Sequence, residues 1–332
     1  MMAPRPTRDT PAGRAYNDLR NLAHRIGRPT DELIATYVHE GFLARLATSA
    51  YRDRFVLKGG MLLAALDARR ATRDIDALAR GMAGAVDEVL TCVQQVATTV
   101  ADDGLVFRAG EARSRQIRED ATCPGTRVTM PVDLARARSK FAIDISVGDP
   151  VVPGPRLVEL PLLLGGAVEL LGYPLEGVLA EKIVTAVSLG ELSTRVRDYA
   201  DVWRLTQTHD VDGAPLVKAA LATATYRRVP LQRLSDAIGR LSDLGQVAYR
   251  QWCDRQPAQL HTYPKQFDRV ITEVAAFADP VLDGSASGLV WHAATGVWAR
   301  RTHRRLPWAE GPVDATKAGA RALAALRDEE RY

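Results

Sequence analysis

Cysteine is scarce and scattered in this sequence. Cys92, Cys123 and Cys253 are the only three in 332 residues. They form no CxxC pair and no even-numbered framework, which excludes a disulfide scaffold and fits a reducing compartment. The six histidines show no HxxxH spacing, so the sequence carries no zinc motif of that kind. No run of about 18 apolar residues occurs, so no segment reads as a membrane span. Met1 to Arg14 is rich in Pro, Arg and Thr and lacks the apolar stretch of a secretory signal; it is expected to be a frayed leader. Walker A and GxGxxG loops are absent. Aromatics are only 6% of the chain, so the core must be built mainly from Leu, Val, Ile and Ala. Neither sign of charge dominates. Forty-four Lys and Arg against 40 Asp and Glu leave +4, too little to signal a nucleic-acid binder by itself but enough for local basic patches. What is present is an ordinary globular balance, 46% hydrophobic and 25% charged, which excludes collagen-like, wholly disordered and polytopic membrane classes. The chain reads as a cytoplasmic α/β or α+β protein.

The order of patterns along the chain is informative. Residues 1–15 are expected to be a disordered leader. Helical spacing runs from Asn17 to Ala47, interrupted at Pro29, with Thr30 as an N-cap candidate. Strand candidates follow at 54–57, 73–79, 105–107, 127–132 and 140–147, with helices expected over 61–66 and 87–100. Pro150, Pro153, Pro155, Pro161 and Pro174 mark a connector holding one strand. Beyond it come helical patterns at 175–189, 194–207, 213–224, 230–246 and 264–276, then the basic stretch Arg300 to Arg305 and an Ala-rich helix candidate. No internal repeat is visible. Mixed elements first and helices later favour an α+β fold: a core over 16–160 and a helical lobe over 161–332, sharing a cleft.

Three carboxylates stand out. In Asp74-Ile75-Asp76, a period of two puts both acids on one face of a short strand. Two such groups repel unless a proton or cation sits between them, and a divalent metal with oxygen ligands is one economical solution. Lys140 to Val147 alternates strictly. Phe141, Ile143, Ile145 and Val147 face one side; Lys140, Ala142, Asp144 and Ser146 face the other. If the two strands are neighbours, Asp144 completes a cluster able to hold Mg²⁺ and a nucleoside triphosphate. About fourteen residues before the acids, Lys58-Gly59-Gly60 joins a strand to a helix start, where free N–H groups and a lysine suit a phosphate.

Together Lys58-Gly59-Gly60, Thr72-Arg73-Asp74-Ile75-Asp76 and Asp144-Ile145 resemble the first motifs of the polymerase-β-like nucleotidyltransferase superfamily. More closely, the chain resembles the AbiEii/AbiGii toxin family, which includes the MenT toxins. Gly41 to Leu46, Phe55 to Gly60, Leu179 to Ile183, Arg195 to Val202 and Phe277 to Pro280 carry that likeness over roughly residues 20–300. The superfamily often has Gly-Ser where this chain has Gly59-Gly60. The resemblance implies a bilobed α+β protein with a mixed-sheet nucleotidyltransferase core and a helical C-terminal lobe. It implies Mg²⁺-dependent transfer from NTP, for several members to the 3′ end of tRNA, whose modification blocks aminoacylation, and a neighbouring antitoxin.

The helical half adds candidates. On a helical wheel with Val178 at zero, Lys182 falls at about 40° and Ala186 at about 80°, so the lysine lies inside the apolar stripe and must snorkel or meet an anion. With Asp198 at zero, Val202 lies at about 40° and Arg195 near 60°, so Asp198 either makes an i,i+3 ion pair with Arg195 or orients Lys182 or Arg195 toward nucleotide. Asp201 lies off that stripe as a supporting or solvent residue. The expected assignment is Asp74, Asp76 and Asp144 on Mg²⁺, Asp144 also aiding deprotonation of the acceptor. Lys58, Gly59, Gly60, Arg73, Lys182 and Arg195 hold NTP phosphates, and Asp198 positions a cation. Thr72 is a candidate modification site. Tyr226-Arg227-Arg228 and Arg300 to Arg305 are candidates for tRNA backbone contact, with Trp291, Trp298 and Trp308 near the latter. A small-molecule nucleotidyltransferase or kinase, and a non-catalytic RNA-binding protein, are the alternatives.

Overall fold

A computed structural model describes residues 6–82, 86–117, 125–256 and 263–300. In chain order the elements are α1 (Pro11–Ile26), α2 (Thr30–Thr48), β1 (Phe55–Lys58), α3 (Gly59–Leu62), β2 (Ile75–Ala79), α4 (Val86–Ala97) and β3 (Leu105–Phe107). Then come β4 (Arg113–Ile117), β5 (Gly125–Leu134), β6 (Ala137–Val147), β7 (Arg156–Pro161), β8 (Ala167–Gly172), α5 (Leu175–Leu189) and α6 (Val196–Thr208). The remainder is β9 (Val211–Asp212), α7 (Gly213–Arg227), α8 (Leu234–Ala237), α9 (Leu241–Cys253), α10 (Phe267–Leu282), β10 (Leu289–His292) and β11 (Val297–Arg300). This is the expected mixed α+β architecture. Residues up to Ala299 form one compact unit; those beyond Arg300 lie outside the described residues.

One mixed sheet dominates, in the order β3-β5-β6-β2-β1-β8-β7, with β4 pairing the other half of the β5 edge. The β5–β6 hairpin is its longest ladder, turning through Ala135 and Arg136. Parallel pairing of β2 with β6 places Ile75 opposite Ile143 and Asp76 opposite Asp144. Antiparallel pairing of β1 with β2 places Lys58 opposite Asp76. The strict alternation in β6 sends Phe141, Ile143 and Ile145 to one face, all at most 1% exposed. There the Phe141 ring lies 4.4 Å from that of Phe42 on α2. The opposite face keeps the acids and is met by the helical half.

Several boundaries differ from the sequence reading. The helix expected from Asn17 begins at Pro11, capped by Thr10, whose hydroxyl accepts the Gly13 amide at 3.1 Å. Proline suits the first helical position, where its missing N–H costs nothing. Thr30 is the first residue of α2; Pro29 holds the cap position and no side chain caps that end. The helix expected over 61–66 is one α-turn, α3, followed by a 3₁₀ turn over Leu63–Leu66. The Pro-rich connector contributes two strands, not one. β7 and β8 pair with each other, and β8 joins the main sheet beside β1, so the sheet takes in residues beyond 160. The helix expected over 230–246 is broken into α8 and α9 around Gly239, whose φ of +44° an L side chain rarely adopts. β4 and the small β11-β10-β9 sheet were not expected; both are short and lack a long alternating pattern. Trp291 and Trp298 belong to an aromatic core with Phe277, at 5.0 and 5.2 Å. Cys123, Trp308, the end of the Arg300 to Arg305 stretch and the Ala-rich segment lie outside the described residues.

Candidate active site

Register builds the site. Lys58 on β1, Asp76 on β2, Asp144 on β6 and Arg127 on β5 are successive cross-strand partners, a row of one cation, two acids and one cation. Asp74 lies just before β2, two residues from Asp76 and therefore on its face. The row floors a cleft of about 590 Å³ walled by α5 and α6 and lined by Lys182, Asp198, Arg195 and Arg197, among others.

The acids are held by an arginine. Arg127 donates from Nε to Asp144 at 2.5 Å and from Nη2 to Asp144 at 2.6 Å and to Asp74 at 2.7 Å. Hydrogen bonding to Asp144, opposed by partial burial and helped by the charges of Asp144, Asp74 and Asp76, raises the Arg127 pKa. In the place expected for a cation among the three carboxylates, two of them meet an arginine. Among the described residues, no three His, Cys, Asp or Glu side chains are grouped to hold a metal ion. The donor set nevertheless fits Mg²⁺. It is oxygen-only, and two of its carboxylates already converge on one cation, the guanidinium.

Gly59 and Gly60, expected to let the backbone approach a phosphate, lie against side chains of the site itself. Gly59 has φ +64°, and a Cβ there would lie 2.0 Å from Asp76 Oδ2. A Cβ on Gly60 would lie 2.6 Å from Thr72 Oγ1. The Thr72 hydroxyl donates to the Asp74 carbonyl at 3.2 Å, so it takes the space a side chain at residue 60 would need.

Lys58 is a correction. Its ammonium donates to Asp149 at 2.8 Å and to Glu181 at 3.2 Å and is 9% exposed. Burial would lower its pKa, but Glu181 and Asp149 outweigh it and raise it. Arg227 joins the same cluster, donating to Glu181 at 2.8 Å with Asp149 at 3.6 Å. Lys58 thus ties β1 to α5, and Arg227, expected on RNA, ties α7 to α5 and to Asp149 after β6. Arg73 is exposed and lines a hollow on the outer part of the sheet, not the cleft.

Lys182 does meet anions. Its ammonium donates to Asp198 at 2.7 Å and to Asp201 at 2.8 Å. Burial pushes the lysine down; Asp198 and Asp201 override it and hold its pKa raised. Burial likewise opposes ionisation of Asp198, but Lys182 holds its carboxyl below the usual range. Arg195 is 3.7 Å from Asp198, so that acid contacts both the i−3 arginine and Lys182. Of the two readings of Asp201, supporting or solvent, burial rules out the second: it is 2% exposed and also accepts from Arg70 at 2.8 and 3.0 Å.

The match to known proteins is decisive at family level. Residues 41–273 match the model of the nucleotidyl transferase AbiEii toxin family, type IV toxin–antitoxin system. The chain belongs to the AbiEii family. As an AbiEii protein it is a nucleotidyltransferase of the toxin–antitoxin or abortive-infection type. No curated protein matches it. Among solved structures, JHP933 from Helicobacter pylori is similar at 13% identity with a TM-score of 0.48, covering 77% of this chain and 94% of its own. A further solved structure, of an H. pylori protein assigned as a nucleotidyltransferase, is 13% identical with a TM-score of 0.47, covering 76% and 95%.

Arg127, Arg70, Asp149 and Glu181 escaped sequence reasoning as members of this AbiEii site. A two-residue turn at Ala135-Arg136 would have paired Arg127 with Asp144. But Ala135 takes φ +50° without the Asn-Gly or Asp-Gly signature of such turns, so nothing local announced the hairpin.

Proposed function

We propose that this AbiEii enzyme transfers a nucleotide from NTP to the 3′ end of tRNA in the cytoplasm, blocking aminoacylation, and that a cognate antitoxin restrains it. The observation that carries the reading is the register. Asp76 stands opposite Asp144 with Asp74 on the same face, across a cleft from Lys182. Asp74, Asp76 and Asp144 would hold Mg²⁺, which when bound neutralises phosphate charge at the reacting centre.

The chain's own groups do the rest. An ammonium has three donors, and Lys182 uses two on Asp198 and Asp201. The third serves a phosphate oxygen. Asp198 and Asp201 keep the ammonium charged and aimed, and Arg70 keeps Asp201 in place. Arg195 and Arg197, exposed on the cleft wall, add charge for the triphosphate tail. Gly59 lets backbone approach the acid row. The acceptor 3′-hydroxyl oxygen bonds to the α-phosphorus, the bond from that phosphorus to the bridging oxygen breaks, and pyrophosphate leaves. The hydroxyl proton passes to Asp144. This is catalysis by positioning and electrostatics.

Total tRNA incubated with each NTP and Mg²⁺, followed by mass analysis of 3′ ends, tests it. Whole-nucleotide additions are expected with the wild type and none with Asp76→Ala, which keeps its fold. Transfer retained by Asp76→Ala, or label appearing only on small acceptors, overturns the assignment.

A further inference from the structure

The row of the acid site does not stop at Arg127. Arg115 on β4 is the next cross-strand partner, so five strands contribute to one line from Lys58 to Arg115. One same-face step along, Arg113 pairs with Thr129, which pairs with Ala142. Lys140 occupies the next outward position on β6. These strands floor a hollow of about 630 Å³ whose lining carries five cations, Arg73, Arg113, Arg115, Arg127 and Lys140, against one carboxylate, Asp74. Arg73, Arg113, Arg115 and Lys140 are exposed. None of these four makes an ion pair among the described residues, whereas Lys182, Arg70 and Lys58 are all neutralised by acids. Asp74 and Arg127 line this hollow and the interlobe cleft alike, so the two open onto each other at the acids.

Charge left unpaired on a chain of only +4 net is a local concentration. Strand spacing puts Arg115 about 10 Å from Asp144, and Lys140 about 13–14 Å from it along β6. A small acceptor at the acids would reach neither. A polyanion whose end lies at the acids would pass over both, and guanidinium forks suit its phosphates. We propose that this outer sheet face, centred on Arg113, Arg115 and Lys140, binds the phosphodiester backbone of the nucleic-acid acceptor, while NTP enters from the interlobe cleft. The proposal rests on the nucleotidyltransferase reading of the acid row for what the bound strand is for, but its binding can be measured without transfer.

The experiment uses the full chain. A fluorescent RNA hairpin with a single-stranded 3′ end, the same sequence as DNA, and labelled polyglutamate are titrated by anisotropy between about 50 and 200 mM salt. The wild type binds RNA with a steep salt dependence. The triple variant Arg113→Gln, Arg115→Gln, Lys140→Gln lowers the slope of log affinity against log salt by about 2 and weakens RNA binding about 30–100-fold near 100 mM salt. Its melting temperature and its affinity for a fluorescent NTP analogue stay unchanged. Equal loss on RNA and DNA assigns recognition to the backbone; loss on RNA alone adds the 2′-hydroxyl to it. An unchanged RNA slope in the variant overturns the proposal. So does loss of polyglutamate binding with RNA binding intact, which would assign the face to an acidic protein. Failure of the transfer reading is separately visible, as RNA binding with no nucleotide added.

Discussion

Replacing Lys58 with methionine separates two roles for one lysine. A phosphate ligand lost would raise the KM for NTP and leave the fold alone. The structure places the ammonium between Asp149 and Glu181, with side-chain exposures of 9%, 2% and 19%. Lys58→Met keeps the volume and removes one cation from the buried Asp149 and the half-buried Glu181. Breaking a buried pair costs about 3–5 kcal/mol. Here Arg227 still reaches Glu181 at 2.8 Å and Asp149 at 3.6 Å, and Ser146 still donates to Asp149 at 3.0 Å. The expected cost is therefore about 2–3 kcal/mol, below that range. For a chain of this size that is a fall in Tm of about 4–6 °C. Thermal unfolding followed by circular dichroism reads it directly. Adding Asp149→Asn to Lys58→Met should recover part of the loss, because the more deeply buried of the two carboxylates becomes a neutral amide. An unchanged Tm together with a tenfold or greater rise in the KM for NTP would refute the reasoning and return Lys58 to the phosphates.

Gly59→Ala combines a left-handed φ of +64° with a Cβ 2.0 Å from Asp76 Oδ2. It should cost about 2–4 kcal/mol and abolish transfer by displacing the carboxylate, a Tm and activity near wild type being the contrary result. His39 is fully buried beside Phe141, neither ring nitrogen has a hydrogen-bond partner among the described residues, and burial lowers its pKa from 6.5 to about 4. The unfolded chain then takes up the proton first as pH falls, so stability drops from about pH 6.5 to pH 4 by about 3 kcal/mol and flattens below. Urea unfolding of His39→Leu across that window should lack this share of the acid loss; parallel curves for the two proteins would contradict it.

Much of the site was legible in the residues. The spacing of Asp74 and Asp76 and the alternation around Asp144 set which face each acid occupies, because a strand's side chains alternate whatever it packs against. Lys182 was legible as a cation in an apolar stripe because helix geometry is equally local. Asp201 stayed open between a supporting and a solvent role because the wheel sees only the stripe of its own helix. Arg70 and Lys182, from two other segments, bury it from the side.

The sequence alone determined the α+β class, the acid-bearing faces and the buried lysine, since each follows from a repeat of two or 3.6 residues within one segment. Tertiary structure alone decided the partners: Arg127 between Asp74 and Asp144, Lys58 drawn to Asp149 and Glu181, and Arg113 and Arg115 beside the acids. Cross-strand register and interlobe packing set those contacts. The turn at Ala135-Arg136 and the β4 pairing that fix them carry no local signature, so charge could find its counter-charge only once the chain had closed on itself.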